Sequence, residues 1–264
     1  MHLIKRFCHT RVLLTGLLAV CFLLGSIDFS HLQAFAATIP PSWSYGGTEN
    51  PTQWGELSPD FVRCEVGKDQ SPIDIVSTVK GKPTQLVFNY KPTPLVVVNT
   101  GHTIQANYAS GSTVTIDGKE YALLQFHFHT PSEHTFGGKA AAMELHLVHR
   151  NAAGQLAVVG IMIEEGAANP VIDQIWQNIP SSGKTNTVAD RSIDASNFLP
   201  KRQAYFSYTG SLTTPPCSEG VSWNLLVEPI TASEAQIEVF QKFYQMDARP
   251  IQPINGRVIE SHRK

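Results

Sequence analysis

From Gln85 onward, apolar and polar residues alternate in short runs, the period of half-buried β-strands. The pattern predicts strands at Gln85 to Tyr90, Leu95 to Asn99, Thr103 to Tyr108, Thr113 to Ile116, Leu123 to Phe128, Met143 to His149, Ala157 to Ile163 and Val221 to Val227. Between them stand turn residues: Asn99-Thr100-Gly101, Ala109-Ser110-Gly111, Asp117-Gly118, Gly137-Gly138 and Asn151-Ala152-Ala153-Gly154. Such short connections suit antiparallel neighbours, because a parallel crossover needs a dozen residues or more. Two stretches change to helical spacing. Asn169-Pro170 can cap one with Val171, Ile172, Ile175 and Trp176 on its face, and Ser233 a second with Ile237, Phe240 and Tyr244. Ser181 to Asp190 reads as the most loop-like stretch, too short for a domain linker. No repeat stands out. The expectation is one mainly β domain over residues 37–264 with a few peripheral helices.

The amino terminus follows another pattern. Lys5, Arg6 and Arg11 precede an apolar run from Val12 to Gly25, and Ala34-Phe35-Ala36 places small residues where a signal peptidase reads. Residues 1–36 are therefore expected to be a signal peptide, removed on export to the periplasm or beyond. An uncleaved anchor is the competing reading, but the run falls short of the roughly 20 residues needed to span a bilayer. A lipoprotein reading at Cys21 fits poorly, since valine precedes the cysteine.

Composition narrows the function. The 264 residues are 42% hydrophobic and 16% charged, enough to bury a core, with 20 basic against 22 acidic side chains. Without the leader, which holds three basic residues and Asp28, the balance is 17 against 21, a net of -4. There is no polybasic tail, so no nucleic-acid partner is expected, nor a membrane partner once the leader is gone. Cys8 and Cys21 go with the leader. Cys64 and Cys217 remain, to be read as one disulfide in an exported protein or as two buried thiols.

The candidate chemistry lies in Gln125-Phe126-His127-Phe128-His129. In a strand, His127 and His129 project to one face and the phenylalanines to the other, with the imidazoles about 7 Å apart at the backbone. The run Met143-Glu144-Leu145-His146-Leu147-Val148-His149 could pair with it and supply a third imidazole, His146 or His149. Three neutral imidazoles with one open position describe a catalytic metal site. Parity puts Gln125 with the first pair and Glu144 with His146, where each can accept the other N–H of a ligand ring. Spacing does not choose between His146 and His149. Nor does it choose zinc over cobalt or iron.

These two segments, with Ser132-Glu133-His134 and with Ser211-Leu212-Thr213-Thr214-Pro215-Pro216-Cys217-Ser218-Glu219-Gly220-Val221-Ser222-Trp223, resemble the alpha-class carbonic anhydrases, in particular exported bacterial members. Weaker matches at Trp43-Ser44-Tyr45, Gln70-Ser71-Pro72-Ile73-Asp74, Asn99-Thr100-Gly101-His102 and Arg249 to Arg257 extend the likeness over Pro40 to Arg257. The resemblance implies a large, mostly antiparallel twisted sheet and reversible hydration of carbon dioxide to bicarbonate and a proton by zinc-bound hydroxide. It places Zn²⁺ on His127, His129 and His146, with Gln125 and Glu144 behind them and His149 structural. It makes Thr213 the hydroxyl that orients the nucleophile, Glu133 its acceptor, and Thr214 a neighbour of the substrate. His102 matches the proton shuttle, while Val148, Val158, Leu212 and Trp223 match the apolar wall. It also supports a Cys64–Cys217 bridge.

One departure is visible. Only 16 residues, Thr130 to Leu145, separate His129 from His146, and Thr130 replaces a tryptophan usual after the second histidine. The shortened loop resembles compact bacterial members and bears on the rim or on oligomer contacts, which leaves a homodimer open. Rival readings are a carbonic-anhydrase-like binding module without activity, a zinc hydrolase of small esters, and a purely structural protein.

Overall fold

The structure, a computed structural model, describes residues 42–263; the leader read over residues 1–36 lies outside them. The early strands are β1 (Asp74–Ile75), β2 (Val79–Lys80), β3 (Val87–Asn89), β4 (Thr93–Asn99), β5 (Ile104–Asn107) and β6 (Thr113–Ile116). The middle of the chain gives β7 (Lys119–His129), β8 (Thr135–Phe136), β9 (Met143–Arg150) and β10 (Leu156–Glu165). β11 (Lys184–Ile193), β12 (Tyr205–Ser211), β13 (Glu219–Ala232) and β14 (Glu260–His262) complete the set. Twelve join in one sheet, with the path β11-β4-β5-β7-β9-β10-β13-β12-β14-β2 and with β3 and β6 attached beside β7; β1 and β8 form a separate pair. Within the large sheet only β10–β13 and β14–β2 run parallel. The fold is mainly β, mostly antiparallel, as the alternation predicts.

The sheet buries both faces, and pleat parity sorts the side chains between them. On one face Phe126, Phe128, Leu145, Leu147, Val159, Ile161 and Leu226 pack against the helices Pro170–Trp176 and Glu234–Gln241 through Trp176 and Phe240. Both helices start as expected. Asn169 Oδ1 accepts from the Val171 amide, and Ser233 forms a reciprocal capping box with Gln236. The other face carries a smaller apolar cluster, Ile73, Ile75, Val158, Tyr208, Val221, Trp223, Leu225 and Ile259.

One irregularity sets the geometry of the metal centre. In strict alternation Leu123 and Phe126 cannot face the same way, yet both lie in the main core. The β7–β9 register shifts between Leu123, opposite His149, and Gln125, opposite Val148, so Leu124 is an extra residue. This bulge turns Gln125, His127 and His129 together toward the face opposite the core.

Besides the two- and three-residue strands β1, β2, β8 and β14, two longer stretches depart from the sequence expectation. Ser181 to Asp190, read as loop, largely belongs to β11, which pairs with β4 and lies at the sheet edge. Its exposed positions carry polar residues on both faces, so no alternation marks it; a polar edge also discourages pairing with another chain. β12 likewise carries no clear strand signal in the sequence, because Gly210 and serines interrupt its apolar pattern.

The cysteine pair is resolved in favour of the bridge: Cys64, in the helix Arg63–Val66, is bonded to Cys217 across a sequence separation of 153. Arg249 braces this staple, donating from Nη2 to the Cys64 carbonyl (2.9 Å) and from Nη1 to Gln70 Oε1 (2.9 Å), whose amide in turn donates to the Cys217 carbonyl (3.0 Å). The closed loop is long, so reduction is expected to destabilise a protein comprising residues 37–264 by up to about 5 kcal/mol through restored chain entropy. Denaturation midpoints with and without reductant measure this, alongside a thiol titration that should find none before reduction and two after. An unchanged midpoint with both thiols free would reject a stabilising role for the bridge.

Candidate metal centre

Antiparallel pairing of β7 and β9 places His127 opposite His146. Nitrogens of His127, His129 and His146 lie within 4.8 Å of one another, and the ring centroids are 4.7 to 5.3 Å apart. On each ring the nitrogen away from this meeting point is engaged. His127 Nδ1 donates to Gln125 Oε1 (2.8 Å), His129 Nδ1 to the Asp247 carbonyl (2.7 Å), and His146 Nε2 to Glu144 Oε1 (2.8 Å). The tautomers follow: Nε2 of His127, Nε2 of His129 and Nδ1 of His146 are left with lone pairs facing inward. His129 Nε2 is buried without a partner, the condition a cation would relieve. The residues present fit a divalent metal.

Charge supports the fit. Burial holds the His127 imidazole well below the usual histidine range, and the adjacent His129 and His146 rings add to this. His146 is lowered too, chiefly by burial, against the raising influence of Glu144. At His129 burial also lowers, but the Glu133 and Asp247 carboxylates outweigh it and raise the ring. Glu133, with Oε2 3.5 Å from Nε2, favours positive charge there, which a metal satisfies as well as a proton.

β9 settles the choice between two histidines. His146 and Val148 face the cluster, whereas His149 points into the opposite layer, with Nε2 2.8 Å from the Tyr90 hydroxyl. Burial depresses His149 to about 3. Because the folded value lies below the unfolded one near 6.5, the unfolded chain takes up a proton first as the solution is acidified. Stability contributed by the neutral ring is therefore full above pH 6.5 and falls steadily toward pH 3, by about 1.4 kcal/mol between pH 7.5 and 5.5. His149→Gln should remove that share of the pH dependence. Urea denaturation at the two pH values tests it, and an unaltered difference would exclude His149 as the source.

Two supports were not assigned from sequence. Asp247 supplies the carbonyl that orients His129, and its Oδ1 accepts the Thr130 amide (2.7 Å), so the residue that departs from the usual tryptophan helps hold this loop. Burial pushes the Asp247 carboxyl up to about 7, with His129 opposing. His134 is the second: its Nδ1 donates to the same Glu144 Oε1 used by His146 (2.8 Å), and its Nε2 accepts the Tyr208 hydroxyl (2.7 Å), which contacts Ser71 Oγ (2.7 Å). Burial raises the Glu144 carboxyl, but the electrostatic attraction of the His134 and His146 rings and the hydrogen bonds they donate outweigh it and hold Glu144 well below the carboxylate range. A glycine makes room for it. A Cβ on Gly160, opposite His146 in the β9–β10 register, would stand 3.1 Å from Glu144 Oε1 and 2.5 Å from Leu225 Cδ2. The Asp247 link spans 118 residues, so no local spacing could have revealed it.

The remaining expected residues gather unevenly. Val158 and Trp223 belong to the smaller apolar cluster, with Val148 and Leu212 packed against it, and the Trp223 ring lies 4.9 Å from that of His146. The apolar wall thus adjoins the histidines. Glu133 Oε1 accepts the Arg249 amide (2.9 Å), while Oε2 is unpartnered, 3.5 Å from His129 Nε2 and 3.8 Å from His146 Nδ1. Thr213 is buried and Thr214 half-buried, and among the described residues no hydrogen bond joins Thr213 to Glu133 Oε2. His102, half-buried just before β5, stacks on Trp43 at 3.7 Å and 8°, and burial lowers its pKa.

A family model described as eukaryotic-type carbonic anhydrase matches residues 49–263. The chain belongs to this family. A carbonic anhydrase of Nostoc sp. is 47% identical over 242 residues, covering 89% of this chain and 92% of its own. The alpha-carbonic anhydrase of Thermovibrio ammonificans, solved with the inhibitor sulfanilamide, superposes with a TM-score of 0.80 at 41% identity, covering 83% of this chain and 99% of its own. Dioscorin, solved in complex with ascorbate, shares the fold at 30% identity, with a TM-score of 0.78 and coverage of 84% and 98%. With the three histidines assembled, this family member is an enzyme of the carbonic anhydrase type.

Proposed function

We propose that the protein catalyses the reversible hydration of carbon dioxide to bicarbonate and a proton, with Zn²⁺ held by His127, His129 and His146. The observation that carries this reading is the convergence of three inward nitrogens, each freed by a hydrogen bond on its other ring nitrogen, beside an apolar wall. Zinc bound there supplies Lewis acidity, which makes water acidic enough to yield a nucleophile near neutral pH. The other parts belong to the chain. Gln125, the Asp247 carbonyl and Glu144 fix the ligand rings. Val148, Val158, Leu212 and Trp223 form a surface suited to a small, uncharged substrate, and Thr214 borders it.

Glu133 has one oxygen committed to the Arg249 amide and one free to accept. A Thr213 hydroxyl that donates to the free oxygen must present its own lone pair to the nucleophile and so orient it. His102 takes the departing proton through intervening water; its lowered pKa favours the neutral, proton-accepting ring.

Stopped-flow hydration of carbon dioxide, before and after metal removal and after zinc is restored, tests the assignment. Activity that is lost and regained with zinc supports it, and absence of hydration in the zinc-loaded protein rejects it. In the same assay His102→Ala should lower kcat in dilute buffer with kcat/KM nearly unchanged, and free imidazole should restore turnover. Equal loss of both parameters would remove His102 from the proton path.

We further propose that residues 1–36 direct export and are cleaved, leaving the domain from residue 37 in the periplasm or outside the cell. The disulfide supports an oxidising compartment. Among the described residues, no helix is long and apolar enough to cross a membrane. The intact mass of the exported protein reads the cleavage directly; retention of the full 264 residues would refute it.

A further inference from the structure

The edge formed by β2 and β14 carries a basic cleft of about 670 Å³ lined by Thr78, Lys80, Gly81, Lys82, Pro83, Ser261 and Arg263. Its composition follows from register. β2 runs parallel to β14 with Lys80 opposite Ser261, and the Gly81 amide extends the ladder to the Ser261 carbonyl (3.0 Å). Thr78, Lys80 and Lys82 from the segment around β2 thus line the cleft with Ser261 and Arg263 from the other segment. Three cations and two hydroxyls therefore border one space. Glu260 and His262 fall on the opposite face, where Glu260 Oε2 lies 3.6 Å from His262 Nε2. Among the described residues no carboxylate lines the cleft, and Lys80, Lys82 and Arg263 take part in none of the ion pairs found.

The floor is held in place. His262 is buried beneath the segment; its Nδ1 donates to the Lys82 carbonyl (2.9 Å), and its Nε2 lies 2.8 Å from Ser207 Oγ. Its ring stacks on Tyr205 at 4.3 Å and 9°. A Cβ on Gly81 would come within 2.5 Å of the His262 ring, so only glycine lets the strand lie this close. The cationic residues therefore stand on a backbone anchored from below.

We propose that this cleft binds a phosphate-bearing anion. Converging ammonium, guanidinium and hydroxyl donors suit a tetrahedral oxyanion of multiple charge, with Arg263 able to engage two oxygens. The space exceeds inorganic phosphate alone, which favours a phosphate ester, either a soluble one or a lipid headgroup.

The test uses ¹⁵N-labelled zinc-loaded mature protein, titrated with inorganic phosphate and with glycerol 3-phosphate at constant ionic strength. Saturable shifts are expected at the Gly81, Ser261 and Arg263 amides. Lys80→Ser combined with Lys82→Ser should bind about tenfold more weakly, as loss of two partly exposed charge-assisted contacts implies. Lys119→Ser combined with Lys184→Ser removes the same charge elsewhere and should bind like the native protein. Arg263→Gln, made separately, guards against misfolding of the double variant, and carbon dioxide hydration should be unchanged in all of them. Co-sedimentation with vesicles of phosphatidylglycerol in phosphatidylcholine, lost in the Lys80/Lys82 variant, assigns the headgroup source. Binding of glycerol 3-phosphate without co-sedimentation assigns a soluble ester. Shifts that do not saturate, that persist unchanged in the Lys80/Lys82 variant, or that are confined to residues around His127, His129 and His146 overturn the proposal.

Discussion

His129→Ala should lose most of its zinc and nearly all hydration activity while retaining the fold. His129 is buried and oriented from far along the chain: its Nδ1 is held by the Asp247 carbonyl, and its Nε2 has no hydrogen-bond partner among the described residues. Removing the ring takes away one of three protein ligands and leaves the Asp247 carbonyl without its donor, at a cost of about 1–3 kcal/mol in stability. That cost is small enough for the fold to survive, so circular dichroism and a thermal midpoint can confirm an intact protein before metal is counted. His149→Gln is the matched comparison, since His149 is equally buried but faces Tyr90 in the opposite layer. It should keep one zinc per chain and remain active. Full zinc occupancy in His129→Ala would discard the ligand assignment, and zinc loss in His149→Gln alone would transfer the third-ligand role to that residue.

Thr213→Ala should keep its zinc yet hydrate carbon dioxide about 100-fold more slowly, the scale on which a misplaced reacting group loses rate. The expectation rests on Glu133. This carboxylate is buried, accepts the Arg249 amide through Oε1, and has Oε2 left over near the ligand nitrogens. A hydroxyl donating to Oε2 would satisfy it and fix its own lone pair toward the nucleophile. Glu133→Gln can then distinguish orientation from charge. An amide that presents its NH₂ in place of Oε2 cannot accept that proton, so this variant should show a similar loss with metal content intact. Thr213→Ser, which keeps the hydroxyl, should recover most of the rate. Native kinetics from Thr213→Ala, or no recovery with serine, would show that the hydroxyl does not orient the reaction.

Much of the fold was legible because one sheet face buries a conspicuous apolar set. Strands such as Met143–Arg150 and Leu156–Glu165 announce themselves by alternation or by an unbroken apolar run. β11 stayed hidden because an edge strand exposed over most of its length has no apolar set to display. The short pairs β1–β8 and β14–β2 are defined by partners far away in sequence and by little else. At the metal centre, Gln125, His127, His129, Glu144 and His146 were readable since ligand and hydrogen-bond partner lie two residues apart on single strands, a distance at which pleat parity operates. Asp247 was not, because its carbonyl reaches His129 from 118 residues away and a backbone acceptor leaves no side-chain signature.

The amino-acid sequence by itself determined the mainly β class, the two capped helices, the pairing of histidines on one face of a strand and the family resemblance. These depend on local periodicity and on short motifs, which act over a few residues. Strand spacing left His146 and His149 open and the resemblance pointed to His146; the tertiary structure supplies the physical reason why His146 joins that pair. The choice turns on the bulge at Leu124 and on the β7–β9 register, which set His146 opposite His127 and send His149 into the layer below. The tertiary structure likewise bears out the expected meeting of Cys64 with Cys217, and decided that Gly160 leaves space for a carboxylate shared by two histidines and that Lys80, Lys82 and Arg263 line one cleft at the sheet edge. Each of these is a meeting of chain segments whose separation is settled only when strands choose partners, and that choice minimises exposed apolar surface over the whole sheet.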